Sequence, residues 1–225
     1  LVQRTPTRFS QKLDKLRFIA SLYPEHIHFV LPRVTQVKTL SDLKGKTVGV
    51  GLPASGAQVG ALLILNAAGL HKNGNFSAEE LNTQQSAERL RDNQLDAFLT
   101  VTGAPSSGIA QLASTAGMTL LSIPDDIQKR VIEQAPFYGS SPIKAGTYEG
   151  QTEDANTLAV GAQWLVSADQ PEELVYGITK ALWNETTAKL LRHHAKGKDV
   201  TLETALEARG IPLHPGAERF YKEAG

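Results

Sequence analysis

The sequence predicts an α/β fold, and two stretches of the chain carry this prediction. Thr47–Gly51 is short, apolar and β-branched, and it is followed by a loop with Pro and Gly and then by a helical pattern. The same order recurs further on, where the apolar run Leu95–Val101 leads into small residues, Thr102–Ser107, and another helix. Two such strand–loop–helix units are typical of open α/β sheets, whose ligands bind beyond the carboxyl ends of the strands.

The loop after the first strand is a candidate anion-binding turn. Apolar residues recur at helical spacing after Ser55, so Ser55 is placed to cap a helix over Ala57–Ala68. The first amides of such a helix, from Gly56 to Gln58, lack intrahelical partners and lie at the positive end of the helix dipole. Because the side chains there are small, we expect Ser55 and these amides to hold a carboxylate.

This turn has two other interpretations, an unoccupied connection and a nucleotide site. An ordinary, unoccupied connection between a strand and a helix has the same local pattern. A nucleotide site is disfavoured, because Gly49 and Gly51 are not followed by the third glycine of a dinucleotide fingerprint, and no P-loop sequence follows. The residues alone therefore leave open an anion site or an empty connection.

Composition and charge argue against several classes of function. Among 225 residues, 23 basic side chains balance 23 acidic ones, and without a basic stripe we expect no nucleic-acid partner. The sequence has no run of about twenty apolar residues that could cross a membrane. The absence of cysteine excludes disulfides, thiolate metal sites and cysteine nucleophiles.

The N-terminal stretch has no periodic pattern. Leu1–Lys12 is polar and lacks the apolar segment of a signal peptide, and we expect Leu1–Asp14 to be a loosely held leader. Because the chain does not start with Met, we expect a processed or truncated product.

Two strands are predicted after this leader, separated by a proline. Leu16–Tyr23 ends at Pro24, and His26–Leu31 follows it. His26 and His28 share a face of the second strand, where alternating polar residues on a half-exposed strand explain them more simply than a metal site does. We therefore expect no metal.

The rest of the chain alternates predicted helices and strands. Ser77–Glu80 matches a capping box and predicts a helix start, ahead of a helix around 87–93. Further predicted elements are a strand over Met118–Ile123, a helix from Pro124, an irregular stretch over Pro136–Asn156, a strand over Thr157–Val166, an amphipathic helix beginning near Pro171, a short helix over Thr201–Ala208 and a last helical turn from Pro215.

The inventory of catalytic residues is thin. The sequence has no Gly-x-Ser-x-Gly elbow, no His-Glu-x-x-His motif and no carboxylate pair in the loops that resemble a site. Those loops consist of Gly, Ala, Pro, Ser, Thr and Tyr, which donate hydrogen bonds but do not carry acid–base chemistry near neutral pH. We expect a binding protein, not an enzyme, with no cofactor and no covalent chemistry.

Several short segments occur in one order along the chain from about Leu13 to its end: Leu16–Glu25, Asp42–Lys46, Gly51–Gly56, Gln94–Phe98, Gly103–Pro105, Pro136–Tyr138, Ala145–Tyr148 and Pro212–Ala217. Taken together they resemble the TAXI family, the extracytoplasmic solute receptors of TRAP transporters once called immunogenic proteins. No single segment is specific, and the resemblance rests on their order.

This resemblance implies a type II periplasmic-binding-protein fold, in which two α/β lobes joined by a hinge close on a ligand in the cleft between them. It implies that small organic acids, glutamate-like or dicarboxylate compounds, are the ligands. A TRAP-type membrane permease as partner, a periplasmic location and a monomeric state are implied as well. The ligand-binding residues carried over from the family are Tyr23, Pro53, Ser55, Gly56, Ala57, Gln58, Gly103, Ala104, Pro105 and Tyr138.

Lobe boundaries and two departures from the family follow from the same resemblance. The lobes are expected to consist of residues 1–37 with 157–225, and of residues 38–156. Thr157–Val166 is then expected to lie outside the sheet that holds Thr47–Gly51. Ala57 stands where the family usually has Thr or Ser, which removes one hydroxyl donor to an anion. The family's N-terminal unit is absent, so lobe one is expected to be incomplete.

Two alternatives share this fold. A cytosolic effector-sensing module, as in LysR-type regulators, is the first, although no helix-turn-helix precedes Leu13. An enzyme, such as a deaminase of tetrapyrrole synthesis, is the second. That enzyme needs a cofactor-bearing cysteine, which this chain does not contain.

Overall fold

The structure, a computed structural model, describes residues 14–72, 74–207 and 209–225. Two compact units are present. The central unit is Glu25–Val160, and the terminal unit combines the described part of Leu1–Pro24 with Gly161–Gly225. The leader expected over Leu1–Asp14 lies outside the described residues apart from Asp14. The lobe boundaries given above stay a prediction.

The described residues contain seven strands and seven α-helices. The strands are β1 (Leu16–Pro32), β2 (Thr47–Gly49), β3 (Ser77–Glu79), β4 (Ala97–Thr102), β5 (Met118–Leu120), β6 (Tyr138–Ser140) and β7 (Leu158–Ser167). The helices are α1 (Gly56–Ala67), α2 (Thr83–Arg91), α3 (Ser107–Thr115), α4 (Asp125–Gln134), α5 (Glu172–Leu182), α6 (Glu185–Leu191) and α7 (Pro215–Ala224). Short 3-10 turns lie at Leu40–Leu43 and Gly197–Asp199.

The strands form a mixed sheet in the order β3-β2-β4-β1-β7-β6, with β5 paired to β1. Strand β2 is parallel to both β3 and β4. Strand β1 is antiparallel to β4 and β5, and β6 is antiparallel to β7. The carboxyl ends of β2, β3 and β4 therefore meet at one edge of the central unit, which is where open α/β sheets bind ligands.

The expectation that Thr157–Val166 lies outside the sheet of Thr47–Gly51 is wrong. Strand β7 belongs to the same sheet as β2. The reason is that β7 begins within the central unit, where residues 158–160 pair with β6.

The two strands predicted on either side of Pro24 are a single strand, β1. Proline removes a backbone donor, but its fixed φ is compatible with extended backbone. Pro24 is exposed. A carbonyl group that lacks its N–H as a partner can therefore bind water instead. The predicted break is therefore wrong, because a proline in the sequence does not by itself end a strand.

The helix start predicted at Ser77–Glu80 is also wrong. Ser77–Glu79 is β3, which pairs in parallel with β2. The capping box lies at Asn82, whose side chain accepts from the Gln85 N–H at 2.9 Å, while Gln85 Oε1 accepts from the Asn82 N–H at 3.1 Å. Pairing with a neighbouring strand thus decides the state of a segment whose local pattern also suits a helix.

Most other predicted elements are present. The helix after Ser55 is α1, with Ser55 as its N-cap. The helices expected near Pro124, Pro171 and Pro215 are α4, α5 and α7. The short helix expected over Thr201–Ala208 is a series of turns over its described residues, and Ala208 lies outside them.

Alternation along the strands divides the core of the central unit between two faces of the sheet. On one face, Ile27 and Phe29 of β1 and Leu99 of β4 belong to the cluster that includes buried residues of α1 and α4. On the other, Val30 and Phe98 belong to the cluster that includes buried residues of α2 and α3. Each such fully buried side chain contributes about 1.5–3 kcal/mol. Helices on both faces hold the carboxyl edge of the sheet in place.

In the terminal unit, α5 packs against α7. His214 caps α7, since its Nδ1 accepts from the Gly216 N–H at 3.2 Å and its Nε2 lies 3.1 Å from the Gln170 carbonyl oxygen. With Nδ1 accepting, Nε2 carries the proton and donates to that carbonyl. A Cβ at Gly216 would overlap the backbone of α5, so glycine permits the close approach of the two helices.

Candidate functional site

A pocket of about 350 Å³ lies at the carboxyl edge of β2, β3 and β4, entirely within the central unit. We call it the carboxyl-edge pocket. Its volume falls in the range of small-molecule sites. It is lined by Glu25, Gly51, Leu52, Ser55, Gly56, Ala57, Leu81, Asn82, Thr83, Leu99, Thr100 and Val101.

Strand register explains why distant segments meet at this pocket. Strands β2 and β4 are parallel and pair Gly49 with Phe98, so the loop after β2 lies beside the end of β4. Strand β1 is antiparallel to β4 and pairs His26 with Thr102. The residue before His26, Glu25, therefore lies at the same edge.

A tight turn takes the chain from β2 into α1. The Ser55 N–H donates to the Leu52 carbonyl at 3.1 Å, with Pro53 and Ala54 between them. Ala54 has a φ of +64°, in the region that favours glycine. Gly51 has a φ of +88°, and a Cβ there would lie 2.9 Å from atoms of the first turn of α1. The end of β2 therefore approaches the start of α1 closely.

Ser55 caps α1, and its hydroxyl proton is used inside the turn. Its Oγ accepts from the Gln58 N–H at 3.1 Å and donates to the Leu52 carbonyl at 2.7 Å. The Gln58 side chain is also engaged, since it accepts from the Ala54 N–H and donates to Glu80. A ligand carboxylate would thus compete with Leu52 for the Ser55 proton, which sequence reasoning did not anticipate.

The amides of Gly56 and Ala57 differ from that of Gln58. Within the described residues neither N–H has a hydrogen-bond partner, as the first turn of a helix dictates. Both residues line the carboxyl-edge pocket. They offer two backbone donors at the positive end of a twelve-residue helix.

A second helix N-terminus lines the same pocket. Asn82, the N-cap of α2, and Thr83, its first residue, both face it. The hydroxyl oxygens of Thr83 and Thr100 lie 2.7 Å apart. One hydroxyl donates to the other, so the second proton is available to a ligand.

Glu25 is the single titratable side chain among the residues that line the pocket. It is half-buried, and within the described residues it has no hydrogen bond and no ion pair. Burial raises the pKa of this carboxyl above its ordinary value of 4.5. The pocket therefore combines two positive helix ends with one carboxyl group.

The second predicted loop, Gly103–Pro105, does not line the carboxyl-edge pocket, although Leu99, Thr100 and Val101 just before it do. Gly103 is buried, Ala104 packs against the core and Pro105 is exposed. Their predicted roles in ligand binding stay predictions.

Hydrogen bonds to a buried tyrosine hold the end of that second loop. His28 Nδ1 lies 3.0 Å from the His26 carbonyl oxygen, an acceptor, so Nδ1 carries the proton of neutral His28. The Tyr148 hydroxyl then donates to His28 Nε2 at 2.8 Å and accepts from the Ser106 N–H at 2.9 Å. Burial raises the pKa of Tyr148 to about 12. Ser106 is the N-cap of α3, so the start of α3 is tied to the core.

The two predicted tyrosines are not among the residues that line this pocket. Tyr138 is 5% exposed in the core of the central unit. A Cβ at Gly60 would lie 2.9 Å from the Tyr138 hydroxyl oxygen, so α1 approaches this side chain at a glycine. Tyr23 belongs to the terminal unit and is half-buried there. Both remain predicted ligand residues.

His26 and His28 are buried, so the half-exposed strand expected for them is wrong. Both side chains have hydrogen-bond partners, the partly buried Ser141 for His26 and the buried Tyr148 for His28. In the described part of the chain, no group of three or more His, Asp or Glu residues is arranged to hold a metal ion.

Sequence reasoning missed Glu25, Asn82, Thr83 and Thr100 as lining residues. Asn82 had a detectable signal, because Asn followed three residues later by Gln matches the capping rule as well as Ser77–Glu80 does. Glu25 and Thr100 had none, because the strand register that brings them to the pocket is not a local property.

A family model described as the NMT1-like family matches residues 4–225. Among solved structures, the chain is similar to XAC2383 from Xanthomonas citri bound to ATP, at 12% identity and a TM-score of 0.51, over 93% of this chain and 69% of that one. It is also similar to the periplasmic aliphatic sulphonate binding protein SsuA from Escherichia coli, at 14% identity and a TM-score of 0.49, over 94% and 67% of the two chains. For the periplasmic sulfonate-binding protein SsuA from Methylobacillus flagellatus KT, the identity is 12%, the TM-score 0.48 and the coverage 93% and 60%.

At such low identity these similarities concern the fold alone, and the two scores below 0.5 carry no argument. The predicted α/β fold of the periplasmic-binding-protein type is confirmed, whereas the hinge and the cleft between lobes stay predictions. The chain spans about 60% of the length of the Methylobacillus protein. No helix in the described part of the chain is long and apolar enough to cross a bilayer.

Proposed function

The chain belongs to the NMT1-like family, and on this premise we propose that it is an extracytoplasmic solute-binding receptor for a small organic acid. It binds a glutamate-like or dicarboxylate compound and delivers it to a TRAP-type membrane permease. It acts in the periplasm as a monomer, without catalysis and without a cofactor. The ordered segments that resemble the TAXI family support this finer assignment.

The observation that carries the proposal is the pair of unpartnered amides at Gly56 and Ala57 in the carboxyl-edge pocket. A carboxylate there accepts two backbone hydrogen bonds. A hydrogen bond to a charged group contributes about 1.5–3 kcal/mol, and the helix terminus adds roughly 0.3–1 kcal/mol. These contributions favour a ligand whose acid group lies at this end of α1.

The remaining lining residues support binding rather than turnover. They supply hydroxyl groups, backbone amides, apolar contacts and a single carboxyl group. Nucleophilic catalysis needs a nucleophile beside a base, and such a pair is not found among these lining residues.

The test is calorimetric titration of dicarboxylates and amino acids into wild type and two matched variants. Gly56→Asp adds a negative charge at the start of α1, inside the pocket, where a Cβ has open space. Gly108→Asp makes the same change in the first turn of α3, also in open space and outside this pocket. Acidic residues suit the first turn of a helix, so both variants are expected to fold.

We expect wild type and Gly108→Asp to bind the same acid with equal affinity, and Gly56→Asp to bind it at least tenfold more weakly. Ala57→Thr, which restores the hydroxyl usual in the TAXI family, is expected to strengthen binding. Equal binding by Gly56→Asp and wild type, or no binding of any acid by wild type at millimolar concentration, would contradict the proposal.

A further inference from the structure

We propose that Glu25 selects ligands that carry a protonated amine beside their acid group, so that zwitterions bind in preference to simple acids. This inference rests on the proposed function, since it concerns the ligand of the same carboxyl-edge pocket. It assigns to Glu25 a role in specificity that the family resemblance did not include.

The charges around the pocket are of opposite sign on different elements. The N-termini of α1 and α2 both contribute lining residues and present positive helix ends. Glu25 enters from β1, in register with the end of β4. An acid group placed at a helix end and a cation placed at Glu25 would each meet a charge of opposite sign.

Glu25 has no structural partner that explains its position. Within the described residues it has no ion pair and no hydrogen bond. Glu80, which precedes the lining residue Leu81, has partners within the protein, since it contacts Lys72 and Gln58. A half-buried carboxylate without a partner is costly, and a bound ammonium group would remove that cost.

A ligand with two acid groups and no amine is disfavoured by the same arrangement. One of its acid groups can bind the amides of Gly56 and Ala57. The other acid group then adds a negative charge to a pocket that already contains the Glu25 carboxylate, and the two repel each other. No Lys, Arg or His is found among the lining residues to offset it. The charge pattern thus favours a ligand of balanced charge.

The test compares pairs of compounds that differ in the amine: glutamate with glutarate, β-alanine with propionate, and taurine with ethanesulfonate. Each is titrated calorimetrically into wild type, Glu25→Gln and Glu149→Gln. The last variant makes the same charge change at an exposed residue outside the pocket. Thermal unfolding of each variant confirms that it is folded.

We expect wild type and Glu149→Gln to bind the amine-bearing member of at least one pair tenfold or more tightly than its partner. We expect Glu25→Gln to bind that member about tenfold more weakly, and the member without the amine equally or more tightly. This opposite response identifies a direct charge contact, because general damage to the pocket would weaken both members.

Two results would overturn the inference in different ways. If wild type binds the members without an amine as tightly, and Glu25→Gln strengthens both members, Glu25 is a repulsive group and the proposed function survives. If wild type binds no member of any pair at millimolar concentration, the proposed function itself is contradicted and the role of Glu25 with it.

Discussion

Two helices of the central unit, α1 and α3, each follow a buried strand and a loop of small residues, yet their loops are held by different partners. The loop before α1 is bonded within itself, through Ser55, Leu52 and Gln58. The loop before α3 is bonded to the distant Tyr148, which also contacts His28 in the core.

This difference matters for the proposed role of each loop. A turn that satisfies its own polar groups leaves the amides of the first helical residues facing a pocket, as at Gly56 and Ala57. A turn fastened by a buried side chain serves to fix the helix to the sheet. The two loops resemble each other in composition, so their hydrogen-bond partners distinguish them where the residue types do not.

A substitution in the contacts that hold the loop before α3 is expected to cost the most stability. Tyr148→Phe removes a hydroxyl that serves both His28 Nε2 and the Ser106 N–H. Each polar group left unpaired costs about 1–3 kcal/mol, so we expect the free energy of unfolding to fall by about 3 kcal/mol in denaturant titrations.

Tyr138→Phe is the matched control for this change. Tyr138 is a buried tyrosine of the same unit, and no hydrogen bond of its hydroxyl is found within the described residues. Its loss of stability is expected to be below about 1 kcal/mol. Equal destabilisation by both changes would show that the Tyr148 bonds do not anchor the second loop.

Raising the pH tests the role of Tyr148 in the wild-type protein, without a substitution. The pKa of Tyr148 is raised from 10.0 to about 12 in the folded protein, so the folded state keeps a proton that the unfolded chain releases. The stabilisation is complete below pH 10 and is lost as the pH rises to 12.

Over that window we expect wild type to lose up to about 2.7 kcal/mol relative to Tyr148→Phe, from two pKa units. Between pH 9 and pH 11.5, just below the folded pKa, the difference between their unfolding free energies is expected to shrink by about 2 kcal/mol. A constant difference across this range contradicts the assigned environment of Tyr148.

A smaller effect is expected at the binding turn itself. Ser55→Ala removes the cap on the Gln58 N–H and the bond to Leu52, which costs about 1 kcal/mol of stability. Because the Ser55 proton is used inside the turn, affinity for an organic acid is expected to change by less than about threefold. A loss of tenfold or more would show that the hydroxyl donates to the ligand.

The smallest expected effect concerns Glu25. Its raised folded pKa means that the ionised form is penalised in the folded protein, so stability is lost as the pH rises above 4.5 through the folded pKa. Glu25→Gln removes this penalty, and at pH 7 without ligand we expect a slightly higher melting temperature than for wild type. The two are expected to converge below pH 4. A lower melting temperature for Glu25→Gln at pH 7 would show an unrecognised structural role.

Local signals in the sequence predict α1 and its cap correctly. Ser55, the small residues after it and the helical spacing are all near one another, so the N-terminus of α1 follows from them. Ser77–Glu79 shows the limit of such signals, since its pattern suits a helix start but its pairing with β2 makes it a strand.

Non-local contacts determine the positions of the residues that local sequence signals do not predict. Glu25 reaches the pocket through the pairing of His26 with Thr102, and Tyr148 reaches Ser106 across 42 residues of sequence. Neither contact produces a periodic pattern in the sequence. Local signals therefore predict Ser55, Gly56 and Ala57 among the lining residues, but not Glu25.

An amide NMR titration of the wild-type protein with the organic acid that binds best tests whether Gly56 and Ala57 donate to the ligand. We expect the N–H resonances of Gly56 and Ala57 to shift downfield as the ligand saturates, because both amides donate to its acid group. The amides of Ser107 and Gly108, in the corresponding turn of α3, are expected to stay unchanged. Saturable shifts at Ser107 and Gly108, with none at Gly56 and Ala57, would contradict the account.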